Sequence, residues 1–412
     1  MFLKSKKTFI YIFLLVSVFF TLGSCNDEIF FRISIEIPLI EPLIEGSPSN
    51  FVIFNNVMYV AAGRKLWRYS TSIVDTEVIS EWKSNELDRD LDENIFISQL
   101  AVTDTYIYVL FYQDTESEII KTLGRISSIT WNTLEFETLK FETFEKKEIT
   151  EYTDTYKDLQ TIYAVNNLLY LGLQKSTANE QAVYFIDASD TVQPAGITSP
   201  ANNPIDGPSA LLRGAVARGS DIFLCTGASI YRTTGGTATR ISGTENHNFV
   251  GIVMLPDNTT IIAITRDGVV YNVATAAVTK TEFEFDDERL ASGAIATWEK
   301  KDEPDSKVLL VGRQDKEYST SSGYTYGYME LELDITGSLI PGAKFKEPGK
   351  SPPTTIPDND TYASSLGIIP ISHLFQVPQS VDDNMTLFAS TYNNGVWSVR
   401  IRSGDTIWNA EE

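Results

Sequence analysis

Short apolar runs alternate with polar turns along most of this chain, and the runs fall into recurring groups of three. The first group is Phe51 to Phe54, the turn Asn55-Asn56, Val57 to Ala62, the turn Gly63-Arg64-Lys65, and Leu66-Trp67-Arg68-Tyr69. Runs this short, rich in β-branched and aromatic residues and bounded by Asn and Gly, predict strands. Asn-Asn between two of them predicts a hairpin, because Asn tolerates the left-handed backbone of a tight turn. The same unit recurs as Leu100 to Leu110, as Ile162 to Ile186 around a second Asn166-Asn167, and as Gly214 to Arg232. It appears again as Val250 to Tyr271, as Ala294 to Met329, and finally as Thr386 to Val399.

Taking Tyr59, Tyr108, Tyr170, Phe223, Ile262, Leu310 and Phe388 as equivalent points, the intervals are 49, 62, 53, 39, 48 and 78 residues. A period near 50 with strand character is the signature of propeller blades, so the pattern predicts an all-β, seven-bladed β-propeller over residues 50–412. An eighth blade is the alternative, concealed in the long last interval with its Ile340-Pro341-Gly342 and Pro352-Pro353. Fourth, outer strands are expected where apolar and acidic residues alternate, at Glu282-Phe283-Glu284-Phe285 and Leu331-Glu332-Leu333. A ring of blades must close, and the apolar stretch Ile29 to Ile37 is the candidate strand for completing the last blade.

The N-terminus carries different information. Lys4, Lys6 and Lys7 precede an apolar run from Phe9 to Phe20, followed by Leu22-Gly23-Ser24-Cys25, the order of a secretory signal. Twelve residues are too few for a membrane-spanning helix, which needs about 20. Leu22-Gly23-Ser24-Cys25 resembles the lipobox of bacterial lipoproteins. That resemblance implies removal of residues 1–24, lipid attachment at Cys25, a palmitate-bearing anchor in the cell envelope outside the cytoplasm, and residues 25–49 as the lipidated N-terminus.

Charge narrows the partners. Of 33 Lys and Arg, three lie in the signal, leaving 30 against 55 Asp and Glu. Such an acidic chain repels phosphate backbones, so no nucleic-acid partner is expected. Beyond Cys25 the only cysteine is Cys225, in an apolar run, and the two histidines, His247 and His373, are isolated in sequence. These residues supply neither a zinc site nor a Cys/His or Ser/His/Asp arrangement, so no metal, no cofactor and no catalytic residue are expected. The alternating carboxylates of Asp88 to Asn94 lack the Gly and the terminal Glu of a calcium loop and read as a solvated loop.

A further resemblance rests on Ala228-Ser229-Ile230-Tyr231-Arg232-Thr233-Thr234-Gly235-Gly236-Thr237. This run resembles the box of Asp-box propellers, the group that includes sialidases, with the Asp and the final Trp missing. Gly395-Val396-Trp397 with Ser403 to Trp408 resembles the same run with residues inserted, and Thr265-Arg266-Asp267-Gly268 keeps an Asp-Gly turn. Phe31-Arg32-Ile33 resembles the start of the sialidase motif bearing a carboxylate-binding arginine, with Ser34 in place of its proline. The expectation is a monomeric, lipid-anchored binding or scaffolding propeller that holds a protein or glycan partner on its loop-rich face. The alternatives are a sialidase-like glycosidase and an envelope-assembly factor.

Overall fold

The computed structural model describes residues 43–74, 77–86, 95–114, 119–126, 159–175, 178–199, 209–284, 290–299, 306–313, 318–319, 323–324, 328–343, 370–402 and 405–411. These residues form seven antiparallel blades without a helix, a seven-bladed β-propeller. Blade 1 is β1 (Val52–Phe54), β2 (Val57–Ala62), β3 (Lys65–Val74) and β4 (Glu77–Glu86). Blade 2 is β5 (Ile95–Val102), β6 (Ile107–Asp114) and β7 (Ile119–Ile126), and blade 3 is β8 (Leu159–Val165), β9 (Leu168–Leu173), β10 (Gln181–Ile186) and β11 (Val192–Thr198). Blade 4 comprises β12 (Leu212–Arg218), β13 (Asp221–Thr226), β14 (Ile230–Thr233) and the two-residue β15 (Thr239–Arg240). Blade 5 is β16 (Phe249–Met254), β17 (Ile261–Thr265), β18 (Val269–Val273) and β19 (Val278–Glu284). In blade 6, β20 (Leu290–Glu299) and β21 (Lys307–Arg313) are followed by the small hairpin β22 (Tyr318–Ser319) and β23 (Gly323–Tyr324), then β24 (Tyr328–Leu333). Blade 7 is β25 (Ile371–Gln376), β26 (Leu387–Thr391), β27 (Val396–Arg402) and β28 (Asp405–Ala410).

Every reference residue of the sequence period falls in the second strand of its blade, from Tyr59 in β2 to Phe388 in β26. These strands pack on both faces. Almost every residue of β2, β9, β13, β17 and β26 is buried, as continuous apolar runs require. Both Asn-Asn turns take the expected left-handed backbone, with φ of 51° and 59° at Asn55 and Asn56 and of 49° and 61° at Asn166 and Asn167. The fourth, outer strand expected at Leu331-Glu332-Leu333 is not a fourth strand. Leu331 to Leu333 belong to β24, the third strand of blade 6, because they continue the run from Tyr328 and pair with Lys307 to Leu309 of β21.

Seven apolar clusters hold the ring, one at each junction between consecutive blades. Tyr59 and Leu66 meet Leu100 and Val109 between blades 1 and 2, and Tyr108 and Leu123 meet Ile162 and Leu171 between blades 2 and 3. Tyr170 and Phe185 pack on Leu212 and Leu224, then Phe223 and Ile230 pack on Phe249 and Ile261. Ile262 meets Leu309 and Leu331, Leu310 meets Leu387 and Trp397, and Val60 with Trp67 meets Val377 and Phe388 to close the circle.

All four strands of blade 7 come from residues 371–410, so this blade is complete without an N-terminal strand. The proposed closing stretch, residues 29–37, lies outside the described residues, as do Cys25, Arg32 and the acidic loop 88–94. Just downstream, residues 43–49 bind the seam directly. Leu43 N–H donates to Glu411 C=O (2.6 Å), Val396 N–H to Ile44 C=O (3.2 Å) and Gly395 N–H to Gly46 C=O (2.9 Å). Ile44 is fully buried in the closing cluster.

Candidate functional site

The first strands of successive blades lie side by side from β1 to β25 and so form the inner wall. They are joined by side chains that imitate a neighbouring backbone. Asn50 donates to Leu100 C=O (2.8 Å) and accepts from Leu100 N–H (2.9 Å); Gln99 Oε1 accepts from Ile162 N–H (2.9 Å), and Thr161 Oγ1 donates to Leu212 C=O (2.9 Å). Farther round, glycine takes over. A Cβ on Gly251 would lie 2.8 Å from Ile295 Cδ1, and one on Gly214 would lie 3.0 Å from Ile252 Cγ2.

The side chains with latent chemistry are occupied structurally. Cys225 is fully buried, and burial pushes its thiol far above the ordinary range, so it remains protonated and unreactive. His247 sits beside the rings of Phe249 (5.6 Å) and Tyr271 (4.8 Å), with Nε2 at 3.1 Å from Gly243 C=O. His373 lies on the inner strand β25, where burial lowers its pKa to about 4 and Nδ1 finds no hydrogen-bond partner among the described residues. It is therefore a neutral imidazole near pH 7. No group of three or more His, Cys, Asp or Glu is placed to hold a metal ion among the described residues.

Several aspartates organise turns. Asp187 accepts from the N–H groups of Ser189 (2.9 Å) and Thr191 (3.2 Å), and Asp334 from those of Thr336 (2.8 Å) and Ser338 (2.9 Å). Partial burial opposes ionisation of Asp257, but bonds from Thr260, Thr259 and Ser338 outweigh it and hold the carboxyl at about 2. Ser338 reaches Asp257 from the next blade (3.0 Å), as Arg218 reaches Thr259 C=O (3.1 Å) and Asn166 reaches Gly219 C=O (3.1 Å). Turns at one end of the blades are thus tied to one another.

Among the described residues, an open feature lies on the rim of blade 4. Its outer strand β15 has two residues, both exposed, whereas β11 and β19 on either side have seven each. The chain around β15 is stitched to both neighbours: Ala238 N–H donates to Ala195 C=O (2.8 Å), Ser242 N–H to Ala276 C=O (3.3 Å), and Val278 N–H to Ser242 C=O (3.2 Å). Two hollows flank this short strand, of about 520 Å³ and 330 Å³, and share Thr239, Arg240 and Ala276. Gly196, at φ +75°, forms part of the wall, and a Cβ there would lie 2.6 Å from Thr237 Cγ2.

The Asp-box-like run forms one side of this notch. Thr233 Oγ1 accepts from Gly235 N–H (3.1 Å) and Gly236 N–H (3.0 Å) and donates to Gly236 C=O (2.8 Å), so Thr233 organises this turn. Thr265 to Gly268, the run that keeps an Asp-Gly turn, joins second and third strands instead of third and fourth, so the two runs are not structurally equivalent. Arg240 and Glu245, which complete the notch, carry no motif. The signal that could have found them is the 39-residue interval from Phe223 to Ile262, the shortest in the chain, which leaves too few residues for a full outer strand.

No protein-family model matches the chain, and no curated protein matches it. Among solved structures, the extracellular domain of the putative one component system BT4673 from B. thetaiotaomicron aligns at 13% identity with a TM-score of 0.48, covering 87% of this chain and 39% of that one. A structure of the extracellular domain of the putative hybrid two component system BT4673 from the same organism gives 13% identity, a TM-score of 0.48 and coverages of 87% and 38%. The chain spans about two-fifths of the length of these structures.

Proposed function

We propose that this protein is a lipid-anchored binding propeller of the bacterial cell envelope, with degenerate Asp-box blades, that holds a protein or glycan partner without turning it over. The observation that carries the reading is the contrast between its two kinds of polar group. Cys225, His247 and His373 are enclosed or packed in ways that suit structure, and the turn aspartates are engaged by their own loops. The rim of blade 4, by comparison, presents a hollow whose walls are fixed by backbone bonds, and preorganised walls reduce the ordering cost of binding. Lys4 to Lys7, the apolar run and Leu22-Gly23-Ser24-Cys25 support export and acylation, and two acyl chains suffice for stable membrane attachment.

The anchor is tested by labelling cells with a palmitate analogue and fractionating them. The native protein should carry label and sediment with membranes, whereas Cys25→Ala should lose the label and appear in the soluble fraction. Label that persists on Cys25→Ala would contradict the anchor.

A further inference from the structure

We infer that the larger hollow beside β15 is a subsite for a neutral, hydroxyl-rich sugar, one that takes a single ring or a pair. This deepens the binding-module reading and rests on it. Blade 4, residues 212–240, contains Arg213, Arg218, Arg232 and Arg240 but only one acid, Asp221, in a chain of net charge −22. At the hollow itself that excess is cancelled: Arg240 Nη2 lies 3.2 Å from Glu245 Oε1, with both side chains about half exposed at 53% and 42%. A bare anion arriving here meets the Glu245 carboxylate, and a bare cation meets the Arg240 guanidinium. Neither sign is favoured.

What the pair does offer is a fixed donor beside a fixed acceptor, facing solvent. Backbone N–H groups of the 243–245 turn bond the Glu245 carboxylate and keep it ionised, which fixes its position beside Arg240. Adjacent hydroxyls on a sugar ring each donate one hydrogen bond and accept others, which matches a carboxylate next to a guanidinium. Around the pair stand the hydroxyls of Thr198, Thr239 and Ser242, while the half-buried ring of Tyr231 supplies an apolar face. The volume of about 520 Å³ lies within the 300–1,000 Å³ range usual for small-molecule sites. Ala276, common to both hollows, is small enough to leave them open.

The test uses the full chain in detergent micelles and ligand-observed saturation-transfer NMR. The probes are neutral gluco-, galacto-, manno- and xylo-oligosaccharides, with sialyllactose as an acidic comparator and inorganic phosphate, which has no observable proton, added as a competitor. At least one neutral oligosaccharide should give transfer, and added phosphate should not displace it. Arg240→Ala and Glu245→Gln should each weaken that signal by about tenfold, and Ala276→Phe, which fills the hollows, should abolish it while thermal melting shows the fold intact. Absence of transfer from every neutral probe overturns the proposal, as does stronger transfer to sialyllactose or displacement of the sugar by phosphate. Binding that is indifferent to all three substitutions also overturns the site and leaves the binding-module reading standing; turnover of a glycan would instead refute that reading.

Discussion

Trp82 Nε1 donates a 2.7 Å hydrogen bond to Glu411 Oε2 across the seam where the first and last blades meet. The two residues are 329 positions apart. The same carboxylate accepts from the Ser398 hydroxyl, and above it the Phe388 ring packs edge-on against Tyr69 (5.1 Å) and Trp82 (5.6 Å). Tyr69 in turn reaches Asp382 (3.3 Å). Ring closure therefore rests on a small, buried set of contacts between the two ends of the chain, with no exchange of strands among the described residues.

Glu411→Ala should consequently destabilise the whole domain. It leaves the buried Trp82 N–H and the Ser398 hydroxyl without their acceptor, a loss of about 2–3 kcal/mol for charge-assisted bonds. Urea denaturation should show a lower midpoint with an unchanged slope. An unaffected midpoint would mean the seam contributes little to closure.

His373 should make stability fall in mild acid. Its folded-state pKa of about 4 lies below the unfolded value near 6.5, because burial disfavours the imidazolium. The stabilising difference is full above pH 6.5 and is lost as pH falls from 6.5 to 4, amounting at most to about 3 kcal/mol. His373→Gln should flatten the denaturation midpoint over that window relative to the native chain. Asp257, held at about 2, contributes its own loss only below pH 3.8, so the two effects separate on the pH axis.

Tyr170 carries a hydroxyl that is buried and has no hydrogen-bond partner among the described residues, on a side chain with no exposed surface. Tyr170→Phe removes the unsatisfied oxygen and keeps the ring packed against Phe185 (5.9 Å). The substitution should raise stability by about 1 kcal/mol, read as a higher melting temperature. A lower melting temperature would show that the oxygen is satisfied in solution.

The second strands were the most legible part of this chain, and the reason is physical. Strands such as Ile261 to Thr265 are buried on both faces, so their residues must be apolar throughout and the run stands out. Outer strands bury one face: Val192 to Thr198 alternates buried and exposed positions over part of its length. That weaker pattern is why Leu331 to Leu333 read as an outer strand when it is the half-exposed end of a third one. The turns were legible where Asn supplied the left-handed backbone. Arg240 and Glu245 were not, because a notch made by a missing stretch of strand has no motif of its own. Ring closure through Ile44, Trp82 and Glu411 was equally hidden, since it depends on residues from opposite ends of the chain meeting in space.

We propose that this propeller binds without catalysing. The direct measurement is release of the fluorophore from fluorogenic sialosides and simple aryl glycosides by the full chain, beside Arg32→Ala. No turnover above buffer is expected for either protein. Clear hydrolysis by the native chain that disappears in Arg32→Ala would contradict the account and make it a sialidase-like enzyme.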